Sequence, residues 1–420
     1  MSLEKYRKLR YIYILSIAFC IYLTYTFKVD ISIDTPTYID AWSTLQEGHL
    51  DKMRTPVYPA FLGLMNTICG DNYLYYVVAI QHLVFLVSIR YFYLLLRYTV
   101  TNKILSFFLT IFYALYPCVA TYNCCIATET FAVAGSIFLL YSILKLYKTR
   151  SIHYGLFTFF WLSFLIYLRP AVVYLLPITI IGWCLVAIKG KTIFNTSVLC
   201  GLAGSIIVSI SLFVYMAMFK CSYGIFTPSS ISLNNKYAIA KAANVIDFNT
   251  FGNGELLSCL VDDDSINAIG KETENLVNAL GLESFSDILN QSIKQNKGKY
   301  VKRLLQNVRN ASENNLFEPS YQTGIIGIIS NMMGIKIKVI YLLFLIYLAI
   351  LTRWMNRHKE IAFFSCLLFM FGVCNYILIV IASPGEYGRL SLPAIPVYLI
   401  MLGQLLEMIR IKRISEVSFL

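Results

Sequence analysis

Charged residues stand beside prolines or at the mouths of apolar runs at five places in the chain, and their types suit one kind of chemistry. The first place is Asp34-Thr35-Pro36-Thr37-Tyr38-Ile39-Asp40, and the second is Arg54-Thr55-Pro56-Val57-Tyr58-Pro59. The others are Glu129 between Thr128 and Thr130, Arg169 before Pro170, and Arg389 behind the turn from Ser383 to Gly388. A carboxylate within hydrogen-bond reach of a hydroxyl can take its proton. An arginine is permanently charged and grips phosphate through two parallel hydrogen bonds. Each residue also has a plainer reading. Asp34 suits a helix cap, and Arg54 suits a side chain reaching from an apolar stretch to the lipid surface. Glu129 suits a helix N-terminus, where the dipole stabilises it by about 0.3–1 kcal/mol, and Arg169 and Arg389 suit lipid headgroups. Taken together they are acids and arginines equipped to move a group off a lipid phosphate: the carboxylate deprotonates an acceptor, and the arginines stabilise charge on the departing phosphate. Tyr38, Tyr58 and Tyr387, close in sequence to these charges, complete the candidate set as substrate contacts.

The elements that must position these residues are membrane helices. The 420 residues are 58% hydrophobic and 14% charged, with 28 Phe, 31 Tyr and a mean hydropathy of +0.64. A soluble domain carries roughly 45–50% apolar and about 25% charged residues, and no single soluble core hides this much apolar surface. Candidate spans of a bilayer are Tyr11–Phe27, Tyr73–Leu96, Ile104–Ala120, Thr128–Leu146, Tyr154–Leu168, Ala171–Ile188, Ile193–Phe219, Ile335–Leu351, Ile361–Ala382 and Leu390–Ile409, of which Tyr154–Leu168 is short and either extends back into Ser151 or sits deep with polar ends. Val57–Cys69 is too short to cross and is expected to be interfacial or re-entrant on the outer side. The fold class is therefore an all-α polytopic membrane protein of about ten spans. The expected organisation is an N-terminal transmembrane module over 1–219 with its first outer loop at 28–72, a small, mostly helical outer domain at 220–330, and a C-terminal transmembrane module over 331–420. Within the outer domain, apolar residues recur at helical spacing in Ile288, Leu289, Ile293 and in Tyr300, Val301, Leu304, Leu305. Asp262-Asp263-Asp264 reads as a solvated turn or helix cap, or as a metal or substrate contact.

Charge placement sets the orientation. With the N-terminus inside, the inner loops hold seventeen Lys and Arg, and the short outer loops hold only Lys28, Lys52, Arg54, Arg169 and Arg389. Every inner loop is basic, as the positive-inside rule requires of ten spans with both termini cytoplasmic, in a plasma or bacterial inner membrane. The net charge of +12 is thus topological, and nucleic acid is not an expected partner. Most of the eleven Cys lie in apolar runs and behave as small hydrophobes, so neither a disulfide framework nor a zinc site is expected. No internal repeat of the kind common in secondary transporters is visible, and neither is a P-loop, Gly-x-Ser-x-Gly or His-Glu-x-x-His.

The order Asp34-x-x-x-Tyr38, Gly48, Arg54-Thr55-Pro56-Val57-Tyr58-Pro59, then Thr128-Glu129-Thr130, Leu168-Arg169-Pro170, and Arg389 followed by Pro393 and Pro396 resembles the GT-C membrane glycosyltransferases. The similar branch holds the bacterial aminoarabinose transferase and protein mannosyltransferase-like proteins. The resemblance covers residues 1–185 and the last fifty, and omits the long outer loop. It implies a polyprenyl-phosphate-linked sugar donor, an acidic residue of the first outer loop, here Asp34, as general base, and Arg54 near the donor phosphate. It implies a glycan, glycolipid or protein acceptor, surrounding membrane lipids, and no certain cofactor, with a divalent cation as the one candidate. The chain departs from the pattern in that Asp34 is followed by Thr35 instead of a second acid, and in carrying Glu129 at the second acidic position. The expected reaction is a direct displacement that inverts the anomeric centre, with Arg54, Arg169 and Arg389 on the phosphate and Glu129 joining Asp34 as a catalytic acid residue. The competing expectations are an oligosaccharide polymerase or ligase acting on lipid-diphosphate glycans, and a non-enzymatic lipid or glycan transporter.

Overall fold

With no water in the hydrocarbon layer, a chain that crosses it must satisfy its backbone internally, and helices do so. The structure is a computed structural model and describes residues 3–190, 195–246, 266–320, 324–332, 334–357, 359–382, 385 and 387–417. These residues are overwhelmingly helical, and the only β pairing among them is two isolated bridges. The protein is an all-α polytopic membrane protein. Seven helical segments are long and apolar enough to span, and an eighth is a pair bent by 46°. Ile152–Leu168 and Lys338–Ala349 are shorter apolar helices, at two of the ten places expected from sequence.

In chain order, α1 is Leu3–Phe27, α2 Thr35–Gln46, α3 Val57–Cys69, α4 Tyr73–Thr99, α5 Lys103–Leu115 and α6 Pro117–Ala120. Then come α7 Glu129–Thr149, α8 Ile152–Leu168, α9 Leu175–Gly190 and α10 Thr196–Tyr223. The segment that follows holds α11 Ile231–Ala242, α12 Ile266–Leu280, α13 Leu282–Gln295, α14 Lys297–Glu313 and α15 Gly324–Met332. The last group is α16 Lys338–Arg357, α17 Lys359–Ala382, α18 Tyr387–Ser391 and α19 Ile395–Val417. The Asp262–Asp264 run lies outside the described residues.

Association in lipid depends on close packing, so small residues sit where helices meet. A Cβ on Gly201 of α10 would collide with the Trp183 ring of α9, and one on Gly135 of α7 would meet Leu165 of α8 at 2.8 Å. The outward faces carry exposed apolar side chains, among them Tyr11, Ile14 and Ile21 on α1 and Ile206, Ile210 and Phe213 on α10. α7 is the most enclosed of the span candidates, and the α18–α19 segment follows it. Glu129 begins the first, and Arg389 lies at the start of the second. The site therefore sits at the end of the most protected part of the bundle.

The segment expected to be interfacial is a helix with those bounds. α3 stops at Gly70, whose φ of 61° with ψ of −149° is a conformation that only glycine adopts easily. A 3-10 turn, Gly70–Asn72, then leads into α4. Leu62 and Met65 of α3 share an apolar cluster with Val77 and Val78 of α4, so the two helices fold against each other, while Leu64 and Ile68 stay exposed one turn apart. The segment after α10 has its own cluster, in which Leu233, Tyr237, Leu276, Phe285 and Leu289 are buried together with Phe219 of α10. It also clasps the first loop: the Ser230 N–H donates to the Lys52 carbonyl at 3.0 Å, and the Tyr223 hydroxyl donates to the Leu50 carbonyl.

Candidate active site

Asp34 occupies the N-cap position of α2, yet its side chain makes no cap hydrogen bond. The helix-cap reading of Asp34 thus fails on geometry, because the carboxylate turns away from its own helix toward two arginines. Neither Thr35 nor Thr37 caps the helix either. The Thr35 hydroxyl donates to the Ile126 carbonyl at 3.0 Å, and the Thr37 hydroxyl donates to the Asp34 carbonyl at 2.7 Å. Pro36, with no N–H to satisfy, fits the first turn of α2. The helix ends at Gly48, which adopts φ of +80° after the last turn.

Arg54 is delivered by the turn that follows. Asp51 Oδ1 accepts from the N–H groups of Met53 and Arg54 at 2.8 and 2.6 Å, a local Asx turn that sets the direction of the arginine. The Arg54 guanidinium then donates through Nε to Thr37 at 2.7 Å, through Nη1 to the Tyr38 hydroxyl at 3.2 Å and through Nη2 to Asp34 Oδ1 at 2.7 Å. Its carbon lies 4.1 Å from the centroid of the Tyr38 ring, within cation–π range.

A second strand of the chain brings Glu129 to the same place. The Asp30 N–H donates to the Cys124 carbonyl at 2.9 Å, and the Ile126 N–H donates to the Asp30 carbonyl at 3.0 Å. The first loop is thereby laid along the residues just before α7. Beneath it, Gln81 of α4 donates through Nε2 to the carbonyls of Asn123 and Cys125 at 3.0 and 2.8 Å, and its Oε1 accepts from the Tyr58 hydroxyl at 3.0 Å. A buried carboxamide that satisfies two loop carbonyls fixes a corner that has no regular secondary structure to hold it.

Arg169 and Arg389 close the arrangement. Arg169 sits in extended backbone between α8 and the 3-10 turn begun by Pro170, and its Nη1 donates to Glu129 Oε1 at 3.0 Å. Arg389 donates through Nε to the same Glu129 oxygen at 2.6 Å and through Nη2 to Asp34 Oδ2. The turn that carries it is pinned from behind: the Ser391 hydroxyl reaches the carbonyls of Gly388 and Leu316, and Asn375 Nδ2 donates to the Leu390 carbonyl at 3.4 Å. The five charges form one alternating chain, Arg54–Asp34–Arg389–Glu129–Arg169. It draws on loops as far apart in sequence as positions 34 and 389, and all five residues were candidates from sequence.

Within the chain the exposure is graded. The Asp34 and Arg389 side chains keep 24% and 21% of their surface, whereas Glu129 keeps 1%. Asp34 and Arg389 form the mouth and Glu129 the floor. Burial alone would push the Asp34 carboxyl up, but the guanidinium groups of Arg389 and Arg54 outweigh it and hold that carboxyl well below the usual carboxylate range. Asp34 is thus ionised, and its basicity is held down by the two arginines. Glu129 Oε1 is shared by two arginines, while Oε2 is buried without a hydrogen bond. The sequence reading placed Glu129 beside Asp34 as a catalytic group. In the structure it is buried, and one of its oxygens holds both Arg169 and Arg389.

The tyrosines divide similarly. Tyr38 and Tyr58 meet edge to face with centroids 4.9 Å apart, and Tyr58 is fully enclosed. Tyr387 is also buried, one residue from the Gly388 backbone on which Glu318 packs. Tyr58 thus backs the Tyr38 ring on which Arg54 lies. Sequence reasoning missed Gln81, Asp51, Asn375 and Ser391. Gln81 and Asn375, each a carboxamide within a long apolar run, carried a readable signal. A divalent cation does not fit the residues present. Both Asp34 oxygens and one Glu129 oxygen already bond to arginines, and among the described residues no three His, Cys, Asp or Glu side chains gather to hold a metal.

No family profile matches the sequence, and no curated protein does. Among solved structures, the chain is similar to the archaeal oligosaccharyltransferase AglB from Archaeoglobus fulgidus in complex with an inhibitory peptide and a dolichol-phosphate. The identity is 12% and the TM-score 0.43, over 96% of this chain and 50% of that one, so the chain spans about half the length of this structure.

Proposed function

We propose that the protein is a membrane glycosyltransferase of the GT-C kind. In this reading it moves a sugar from a polyprenyl-phosphate donor to a lipid-linked glycan, glycolipid or protein acceptor. The supporting observation is the convergence of Asp34 with Arg54, Arg169 and Arg389 at one end of the bundle. The donor tail lies in the bilayer, and its phosphate meets Arg389 and then Arg169. The acceptor hydroxyl attacks the anomeric carbon from the far side. The new carbon–oxygen bond forms as the bond to phosphate breaks, and the anomeric centre inverts. The hydroxyl proton passes to Asp34, and the bonding pair leaves with the phosphate, whose charge the arginines neutralise. When phosphate draws Arg389 away, Asp34 loses one of the two cations that suppress its basicity, so donor binding prepares the base. The anchor beneath both arginines is Glu129.

On this reading the N-terminal module over 1–219 holds most of the site, the 220–330 segment covers the acceptor side, and the 331–420 module returns Arg389. The basic ends of α4 and α7 lie opposite the cluster, where Lys145 of α7 stacks against Tyr98 of α4. This placement suits a bacterial inner membrane with both termini cytoplasmic and the cluster outside. A transporter would carry its polar groups near the bilayer midplane, whereas these gather at one end.

The test is to reconstitute the purified protein in liposomes, offer two labelled lipids in turn, and follow both transfer and movement across the bilayer. Transfer from a sugar linked to polyprenyl monophosphate is the expected result. Consumption of a diphosphate-linked glycan alone would favour the polymerase or ligase reading. Movement of intact lipid across the bilayer with no bond broken would favour a transporter and overturn the enzymatic one.

A further inference from the structure

Beyond the five-residue chain, one polar pair on α14 leaves buried atoms without a hydrogen bond among the described residues. Arg303 and Asn307 lie four residues apart on α14, hence one turn apart on the same face. Asn307 is 1% exposed, and both its Oδ1 and Nδ2 lack a hydrogen bond; the Nε of Arg303 is likewise buried and unbonded. Among the described residues Arg303 pairs with no carboxylate, unlike Arg54, Arg169 and Arg389. Leaving such groups buried and unmatched is costly, and α14 bears this cost. The helix packs on α17, and the Arg303 charge reaches Tyr387, two residues before Arg389. Glu318, the carboxylate at this turn, packs on Gly388.

We infer that Arg303 and Asn307 form a second oxyanion subsite, next to the Arg389 turn, which receives a phosphoryl group attached to a saccharide. The guanidinium suits the phosphate oxygens. Asn307 offers one donor and one acceptor, which match a phosphate oxygen and a neighbouring sugar hydroxyl. The inference rests on reading the Arg389 cluster as a phosphate site and adds a second phosphate to the substrate pair. That phosphate has two possible sources: the second phosphoryl group of a diphosphate donor, or a phosphate carried by the acceptor.

The test uses full-length protein in nanodiscs and three probes: undecaprenyl monophosphate, undecaprenyl diphosphate, and glucose 1-phosphate added to nanodiscs saturated with the monophosphate lipid. Arg303→Gln is expected to weaken one probe about tenfold and to leave monophosphate binding unchanged. Loss confined to the diphosphate assigns the subsite to the donor, and loss confined to glucose 1-phosphate assigns it to the acceptor. Arg303→Lys, which keeps the charge, is expected to restore most of the binding, and Asn307→Asp, which places a negative charge there, to weaken the same probe as Arg303→Gln. If Arg303→Gln leaves all three probes unchanged, or weakens all three equally, there is no second subsite. The underlying reading fails separately: Arg389→Ala would then keep wild-type affinity for undecaprenyl monophosphate.

Discussion

Asp34 is held between two cations, and its chemistry follows from which of them it keeps. In the free protein both arginines stabilise its ionised form. The acid limb of kcat/KM, which reports the free enzyme, is therefore expected to lie below the ordinary carboxylate range. With phosphate on Arg389 the carboxyl regains proton affinity, so the acid limb of kcat is expected at higher pH than that of kcat/KM. Measuring both profiles checks this; coincident limbs would show that Arg389 stays on Asp34. The sign for stability runs the same way. A carboxyl held low in the fold stabilises it above the ordinary carboxylate pKa and ceases to do so as the pH falls through its own. Arg389→Ala is expected to raise the barrier by about 2–4 kcal/mol, as loss of one oxyanion donor does, read from kcat in a transfer assay. All five charged residues were legible in the sequence because each stands beside a proline or at the mouth of an apolar run. The unequal roles of Asp34 and Glu129 were not, since burial depends on which helices close over a residue.

At the scale of elements, the site is aimed by short irregular pieces, and the long helices hold those pieces in place. α2 and α3 pack so closely that a Cβ on Gly63 would overlap the Trp42 ring. Gly63→Ala is expected to destabilise the protein by about 1–3 kcal/mol, the usual cost of overpacking, visible as a lower thermal midpoint in detergent. Gln81→Leu strips two loop carbonyls and the Tyr58 hydroxyl of a partner at once. It is expected to lower both stability and kcat, because the loop it holds lies directly before Glu129; an unchanged kcat would show that the loop keeps its course without it. The helices at the places of the expected spans, and the short helix Val57–Cys69, were readable from run length alone. The Asx turn at Asp51, the Ser391 tether and the lacing of residues 30 and 124–126 were not. They depend on single hydrogen bonds between segments distant in sequence, and no periodicity records these.

For the whole molecule, the helices carry the five charges to one end and the lysines and arginines of α4 and α7 to the other. A cysteine-free variant carrying His49→Cys is expected to react with an impermeant maleimide in intact cells, and one carrying Lys148→Cys only after lysis. The reverse pattern would put the cluster on the cytoplasmic side. The asymmetry of Lys and Arg among the loops sets the orientation expected here, whereas the packing of the segment after α10 against the first loop was not legible, because its contacts join Leu50 and Lys52 to Tyr223 and Ser230. The most direct test of the whole account is turnover by Asp34→Asn in liposomes containing a labelled polyprenyl-phosphate sugar. The expected result is retained donor binding with transfer reduced by about 10²–10⁴-fold, the span of a lost general base. Near-normal transfer by that variant would contradict the assignment of Asp34 as the base.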